Sequence, residues 1–218
     1  MKQLGFAFDQ GRCIGCRTCQ MACKDYKDTN IGVNFRRVYE YEGGDWQQDS
    51  DGVVRAQIFA AYASISCNHC DNPACMRVCP VGAITKYEDT GIVEIDTEKC
   101  IGCDACAMGC PYGAPQKVEA TGKYDKCNLC RERLEEGMKP ICVEACPTRA
   151  LDFGEISELR AKYGDEAGIA PLVDPSFTNP NLTVVPCKET RPYNEKGIRV
   201  TAPNAKLGVI DIVQPTEE

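Results

Sequence analysis

One histidine, one tryptophan and an aromatic content of 7% leave this 218-residue chain short of the side chains that most active sites are built from. No nucleophile–base pair is visible, no glycine-rich phosphate loop, and nothing like G-x-G-x-x-G after a strand, so the chain reads as non-catalytic on its own. Basic residues are also outnumbered: 25 Lys and Arg stand against 32 Asp and Glu, for a formal charge of -7. With an isoelectric point near 5.0 the footprint of a nucleic-acid binder is missing. Long apolar runs are absent too. The longest weakly polar stretch, Ile58 to Ser66, is far too short to cross a bilayer, so no direct membrane span is expected. The N-terminal residues Met1 to Asp9 lack the apolar core of a secretory signal, and any export is expected to be as a folded passenger of a partner.

Against these shortages stand seventeen cysteines. All but one fall into four groups. The first is Cys13, Cys16, Cys19 and Cys23; the second Cys67, Cys70, Cys75 and Cys79; the third Cys100, Cys103, Cys106 and Cys110; the fourth Cys127, Cys130, Cys142 and Cys146. Groups one and three have the bacterial ferredoxin spacing C-x2-C-x2-C-x3-C, and the third carries the trailing Pro111. Three thiols this close let a short loop wrap one 4Fe-4S cubane while backbone amides point at its sulfides, and Gly15 and Gly102 permit close approach. Zinc sites usually separate their cysteine pairs by a longer knuckle, and disulfides are disfavoured by the same crowding.

In two-cluster ferredoxins the fourth cysteine leaves the loop and ligates the other cluster. Groups two and three are joined by residues 82–96, which read as a β-hairpin turning near Asp89-Thr90-Gly91, the layout of a small two-cluster ferredoxin. Groups one and four then pair across the chain. Four ligand sets follow. Set one is Cys13, Cys16, Cys19 and Cys146; set two Cys67, Cys70, Cys75 and Cys110; set three Cys79, Cys100, Cys103 and Cys106; set four Cys23, Cys127, Cys130 and Cys142. The expected fold class is α+β: two interlocked ferredoxin-like units, one inserted in the other. The outer unit takes 1–23 with 120–165, a hairpin insertion 24–66, the inner unit 67–119, and an extended, irregular C-terminal tail 166–218.

Within this frame Arg36 to Tyr41 and Val53 to Ser66 read as strands around a polar turn from Gly43 to Gly52, with Trp46 at its tip. Trp46 is equally suited to anchoring a partner or to covering its own hairpin. Ala150 to Gly154 reads as a strand and Glu155 to Tyr163 as a short helix stopped by Gly164. The prolines of the tail exclude a regular helix or a central strand, leaving an arm wrapped over a partner or a free segment. Cys187 stands apart from every group and reads as a structural or incidental thiol. His69, between Cys67 and Cys70, reads as structural or as a neighbour of the ligands, whose protonation would make one potential pH-dependent. Four cubane cores with their thiolates add roughly -8 to the formal -7, about -15 in all, so local cations matter. Arg17, Lys24, Arg77, Lys99, Lys126, Arg131 and Arg149 lie within three residues of a ligand.

The order and spacing of the four groups resemble the iron-sulfur subunit of the dimethyl sulfoxide reductase family of molybdenum oxidoreductases. Phe35 to Trp46, Ser64 to Cys70, Cys110 to Pro115 and Pro140 to Pro147 carry the resemblance beyond the cysteines, over roughly residues 4 to 165. The resemblance implies an electron-transfer subunit docked on a large catalytic subunit with a molybdenum bis-pterin cofactor, and on a membrane anchor that exchanges electrons with quinol. It implies a relay from set one through sets four and two to set three, in a peripheral membrane complex of unassigned side. Some relatives have an aromatic residue in place of the second cysteine of group three; here Cys103 implies a complete cubane. A stand-alone polyferredoxin, or the same wire in a formate dehydrogenase or aromatic dehydroxylase, is the competing reading.

Overall fold

A computed structural model describes residues 2–201. The chain enters through strand β1, Leu4–Asp9, in which large and small side chains alternate. Leu4, Phe6 and Phe8 face the main core, while Ala7 packs on the opposite side against Ile156 and Leu159. Two buried faces make β1 a central strand. It pairs antiparallel with β8, Leu151–Glu155, and parallel with β9, Leu182–Val185, giving the order β8-β1-β9. Helix α6, Ile156–Tyr163, covers the small-residue face and stops at Gly164, as expected from the sequence.

The second sheet is built on a hairpin of β2, Arg37–Gln48, and β3, Val54–Ile65, with β10, Arg199–Thr201, beside β2 in the order β10-β2-β3. Strand β2 runs through Gly43 and Gly44 to Gln48 in one continuous ladder, so these glycines oppose Phe59 and Ile58 rather than forming a turn. Cross-strand pairing outweighs their poor intrinsic β-preference. The actual turn is 49–53, where the Asp49 carboxylate accepts from the backbone of Asp51 (3.1 Å) and Val53 (2.9 Å). Trp46 lies within the strand, exposed, and not at the tip.

The region between carries two short hairpins: β4, Ile84–Lys86, with β5, Val93–Ile95, and β6, Gln116–Val118, with β7, Lys123–Asp125. Short helices follow the cysteine loops. They are α1, Thr18–Tyr26, α2, Ala74–Arg77, α3, Ala105–Gly109, α4, Arg131–Glu135, and α5, Ile141–Glu144. Helix α1 packs on α5, and α2 on α3.

The tail differs from the irregular or free segment expected. As far as residue 201 it folds back on its own chain. β9 is an edge strand of the first sheet, and β10, Arg199–Thr201, an edge strand of the second, which is where a proline-rich segment is tolerated. Asn181 ties the two halves together. Its side chain donates to the His69 carbonyl (2.8 Å), its N–H to the Asn68 carbonyl (2.9 Å), and its own carbonyl accepts from Phe6 of β1 (3.2 Å). The rest of the expected tail, 202–218, lies outside the described residues.

Candidate metal centres

The four cysteine loops share one unusual backbone angle. The residue preceding the second cysteine has positive φ in all four: Gly15 (68°), His69 (44°), Gly102 (70°) and Leu129 (59°). This left-handed step turns successive N–H groups into a concavity, the nest that favours an anionic group. At Gly102 no side chain fits, because a Cβ would lie 2.3 Å from the Gly122 carbonyl oxygen. Histidine is among the residues that tolerate the left-handed region, which gives His69 a structural reason to be there. Leu129 is held in it by complete burial.

The structure gathers cysteines from different sequence groups. Cys67, Cys70, Cys75 and Cys110 line one pocket with about 350 Å³ of empty space, shared with Tyr112 and Lys126. Cys79, Cys100, Cys103 and Cys106 line a second of about 310 Å³, walled by Ile84, Ile95 and Tyr124. Cys13 has Cys19, Cys146 and Cys16 as its charged neighbours. Cys23 has Cys127, Cys142 and Cys130, none of them from its own sequence group. Cys187 joins no set; its sulfur accepts from the Thr190 hydroxyl (3.6 Å) in a turn of the tail.

A 4Fe-4S core fits this donor chemistry. Burial pushes the Cys13 thiol up to about 11 and those of Cys70, Cys75 and Cys130 up to about 12, so four thiolates in one such pocket require a cationic core between them. Among the described residues no three His, Cys, Asp or Glu side chains form a group suited to a single metal ion. Zinc needs sulfurs about 2.3 Å from one point, whereas the thiols of sets two and three line a space. Backbone amides already address the sulfurs. Ala83 donates to Cys79 (3.3 Å) and Ala150 to Cys146 (3.3 Å), each four residues beyond a cysteine that precedes proline, and Tyr124 donates to Cys100 (3.4 Å). Burial raises Cys146, but the Thr148 hydroxyl and the N–H groups of Ala150, Leu151 and Thr148 outweigh it and hold the thiol below its ordinary value.

The sets adjoin in series. Cys142 of set four is close enough to Cys19 of set one for their charges to interact, and Cys67 of set two is likewise close to Cys127 of set four. Cys75 and Cys106 share a small apolar core with Ile84, Val93 and Ile95, which brings set two to set three. Exposure follows the same order. Cys16 and Cys103, in sets one and three, are exposed, whereas every thiol of set four is buried.

Of the cations near ligands in sequence, most are engaged elsewhere. Lys99 pairs with Asp96, Arg131 with Glu94 and Glu135, while Lys24 and Arg149 donate to carbonyls of their own loops. Lys126 alone is buried among thiols. Sequence proximity missed a second one, Arg36, thirteen positions beyond Cys23 and fully buried beside Cys142, Cys19, Cys127 and Cys23. The available signal was a double arginine directly before the apolar residues Val38, Tyr39 and Tyr41 that open a strand. His69 accepts from the Val93 N–H at Nδ1 (2.9 Å), and its Nε2 is buried without a partner. Burial, with Lys126 and Lys86 nearby, holds its imidazole well below the usual range, so the ring is neutral rather than a proton switch near pH 7.

The chain matches the family described as "4Fe-4S dicluster domain" over residues 58–156 and that described as "4Fe-4S binding domain" over 4–25. It is 57% identical to the B chain of the anaerobic dimethyl sulfoxide reductase of Escherichia coli, over 88% of this chain and 93% of the relative. Identity to the counterpart in Haemophilus influenzae is 56%, with the same coverage. The thiosulfate reductase electron transfer subunit PhsB of Salmonella typhi is 41% identical over 69% of this chain and 74% of its own length. No helix among the described residues is long and apolar enough to cross a membrane.

Proposed function

Because this chain belongs to the family of iron-sulfur electron-transfer subunits of anaerobic dimethyl sulfoxide reductase and related reductases, we propose that it holds four 4Fe-4S clusters and serves as a wire to a catalytic partner. The ligands would be sets one to four as given above, forming two interlocked ferredoxin-like units. Bound there, the clusters would supply one-electron redox centres; the chain's part is to space them, exclude water from the middle of the series and set their potentials.

One observation carries this reading. The four thiol sets adjoin in the order one, four, two, three, with exposed cysteines at both ends and fully buried ones in set four. A series open at two ends is what a relay between two partners needs. Exposed apolar residues flank each end: Ile14 and Met21 near Cys16, Ile101 and Met108 near Cys103. The partners proposed are a large molybdenum bis-pterin catalytic subunit at the set-one end and a quinol-linked membrane anchor at the set-three end, in a peripheral membrane complex. Two open ends favour this over a stand-alone polyferredoxin.

The test is anaerobic purification with iron, sulfide and molybdenum analysis of everything that co-elutes. About sixteen irons per chain, together with a large molybdenum protein, is the expected result. Full iron with no partner refutes the subunit reading and keeps the clusters. Zinc in place of iron overturns both.

A further inference from the structure

Two buried cations occupy the two interior junctions of the series. Arg36 stands where set one meets set four, with Cys19 on one side and Cys142, Cys127 and Cys23 on the other. Its guanidinium donates to the Ser64 carbonyl (3.1 Å), the Ser64 hydroxyl (3.2 Å) and the Ser66 hydroxyl (3.0 Å), and lies 4.4 Å from the Phe6 ring centre. Ser64 in turn contacts the Cys19 sulfur at 3.4 Å. The Nε of Arg36 is buried with no partner. Lys126 stands where set four meets set two, among Cys67, Cys75 and Cys127, with its ammonium donating to the carbonyls of Val93 and Cys127.

Neither cation is neutralised by a carboxylate. No ion pair among the described residues includes Arg36 or Lys126. A buried charge without a counter-ion is strongly disfavoured, and an arginine cannot escape by losing its proton. Dipoles of carbonyls and hydroxyls orient these groups but do not cancel them. Among the described residues the largest negative charges acting on Arg36 and Lys126 are the thiolates of two neighbouring sets, and the Asp125 carboxylate, in electrostatic range of Lys126, forms no ion pair with it. At the third junction, where α2 packs on α3, Lys126 reaches only the set-two side, through Cys75 and the Val93 carbonyl, and no set-three thiol is among the charges acting on it.

We infer that Arg36 and Lys126 are shared counter-charges, each placed between two adjacent clusters and raising the reduction potential of both. The inference rests on the four-cluster reading. A four-thiolate cubane carries about -2 when oxidised and about -3 after one electron enters, with no proton or bond changed. A fixed positive charge in a low-dielectric interior therefore favours the reduced state, and one placed between two clusters acts on both.

The prediction is a pattern. Arg36→Met lowers the potentials of the clusters in sets one and four, Lys126→Met those in sets four and two, and neither moves the cluster in set three. Each affected reduction constant falls at least tenfold, about 59 mV for a one-electron couple. The measurement is a dithionite titration of the purified holoprotein followed by electron paramagnetic resonance, with iron counted first. Wild-type protein lacking about sixteen irons would fail the four-cluster reading itself. Full iron with unmoved potentials, or with all four moved alike, would overturn the inference alone. Should a methionine variant lose iron, Arg36→Lys and Lys126→Arg decide. Loaded variants with near-native potentials sustain the shared charge, and equal loss of iron means that these side chains serve shape alone.

Discussion

Two glycines beside the third cysteine set make a matched pair for testing the loop argument. Gly102 and Gly82 have φ of 70° and 62°, so alanine at either position meets the left-handed penalty of roughly 1–2 kcal/mol. They differ in space. A Cβ at Gly82 meets nothing within 4 Å, whereas one at Gly102 falls 2.3 Å from the Gly122 carbonyl oxygen, a backbone atom that cannot swing aside. Overpacking of this kind costs about 1–3 kcal/mol more. Gly82→Ala should therefore cost about 1–2 kcal/mol and Gly102→Ala about 2–5, and the entropy that alanine removes from the unfolded chain is common to both. For a chain of this size each kcal/mol is about 2–4 °C, so Gly102→Ala should melt roughly 2–12 °C below Gly82→Ala. The assay is loss of the visible iron-sulfur absorbance on heating at one fixed scan rate, with iron counted beforehand, since such unfolding is irreversible. Equal midpoints, or a lower one for Gly82→Ala, would refute the claim that loop and hairpin β6–β7 are in contact at this atom.

Cys23→Ser should remove or damage the cluster of set four and spare that of set one, and Cys146→Ser should do the opposite, read from iron content and from which resonance signals disappear; damage confined to each cysteine's own sequence group would contradict the exchange. Stripping the clusters should unfold the region of β4–β5 and β6–β7 first, because three-residue, two-stranded hairpins do not stand alone. Trypsin should then cut newly at Arg77, Lys86 and Lys99, and new cuts appearing only in the β2–β3 hairpin would argue against this order.

How much of this was legible in the sequence depends on whether the information was local. The ferredoxin spacing, the turn at Asp89 to Gly91 and the end of α6 at Gly164 are written in neighbouring residues, and each is found where expected. Strand β1 was not read, because its six residues alternate large with small rather than apolar with polar, a pattern that makes sense only once α6 packs on the small face. The tail was misread for the converse reason. Prolines correctly excluded a central strand, but nothing local shows that Asn181 and Thr183 would be buried against β1 and the second cysteine loop. Arg36 was invisible to a search near the ligands, since burial beside Cys142 is a contact across more than a hundred positions.

The β2–β3 hairpin joins these levels. Arg36 and Arg37 are consecutive, and at the start of a strand consecutive side chains point to opposite faces. Arg36 therefore enters the thiol-lined core, while Arg37 takes the opposite face and donates to the carbonyls of Tyr112 and Gly113 (2.7 Å each), in the loop that follows Cys110 of set two. Both are buried, so the hairpin base touches the thiols around Arg36 on one side and the wall of set two on the other. Farther out the same strands change character: Trp46, Val54 and Ile58 are exposed. From 44 to 58 the hairpin adds no buried residue to the core, whereas its base is buried. The segment between the first two cysteine groups thus reaches, from one hairpin base, both the thiols around Arg36 and the loop that follows Cys110.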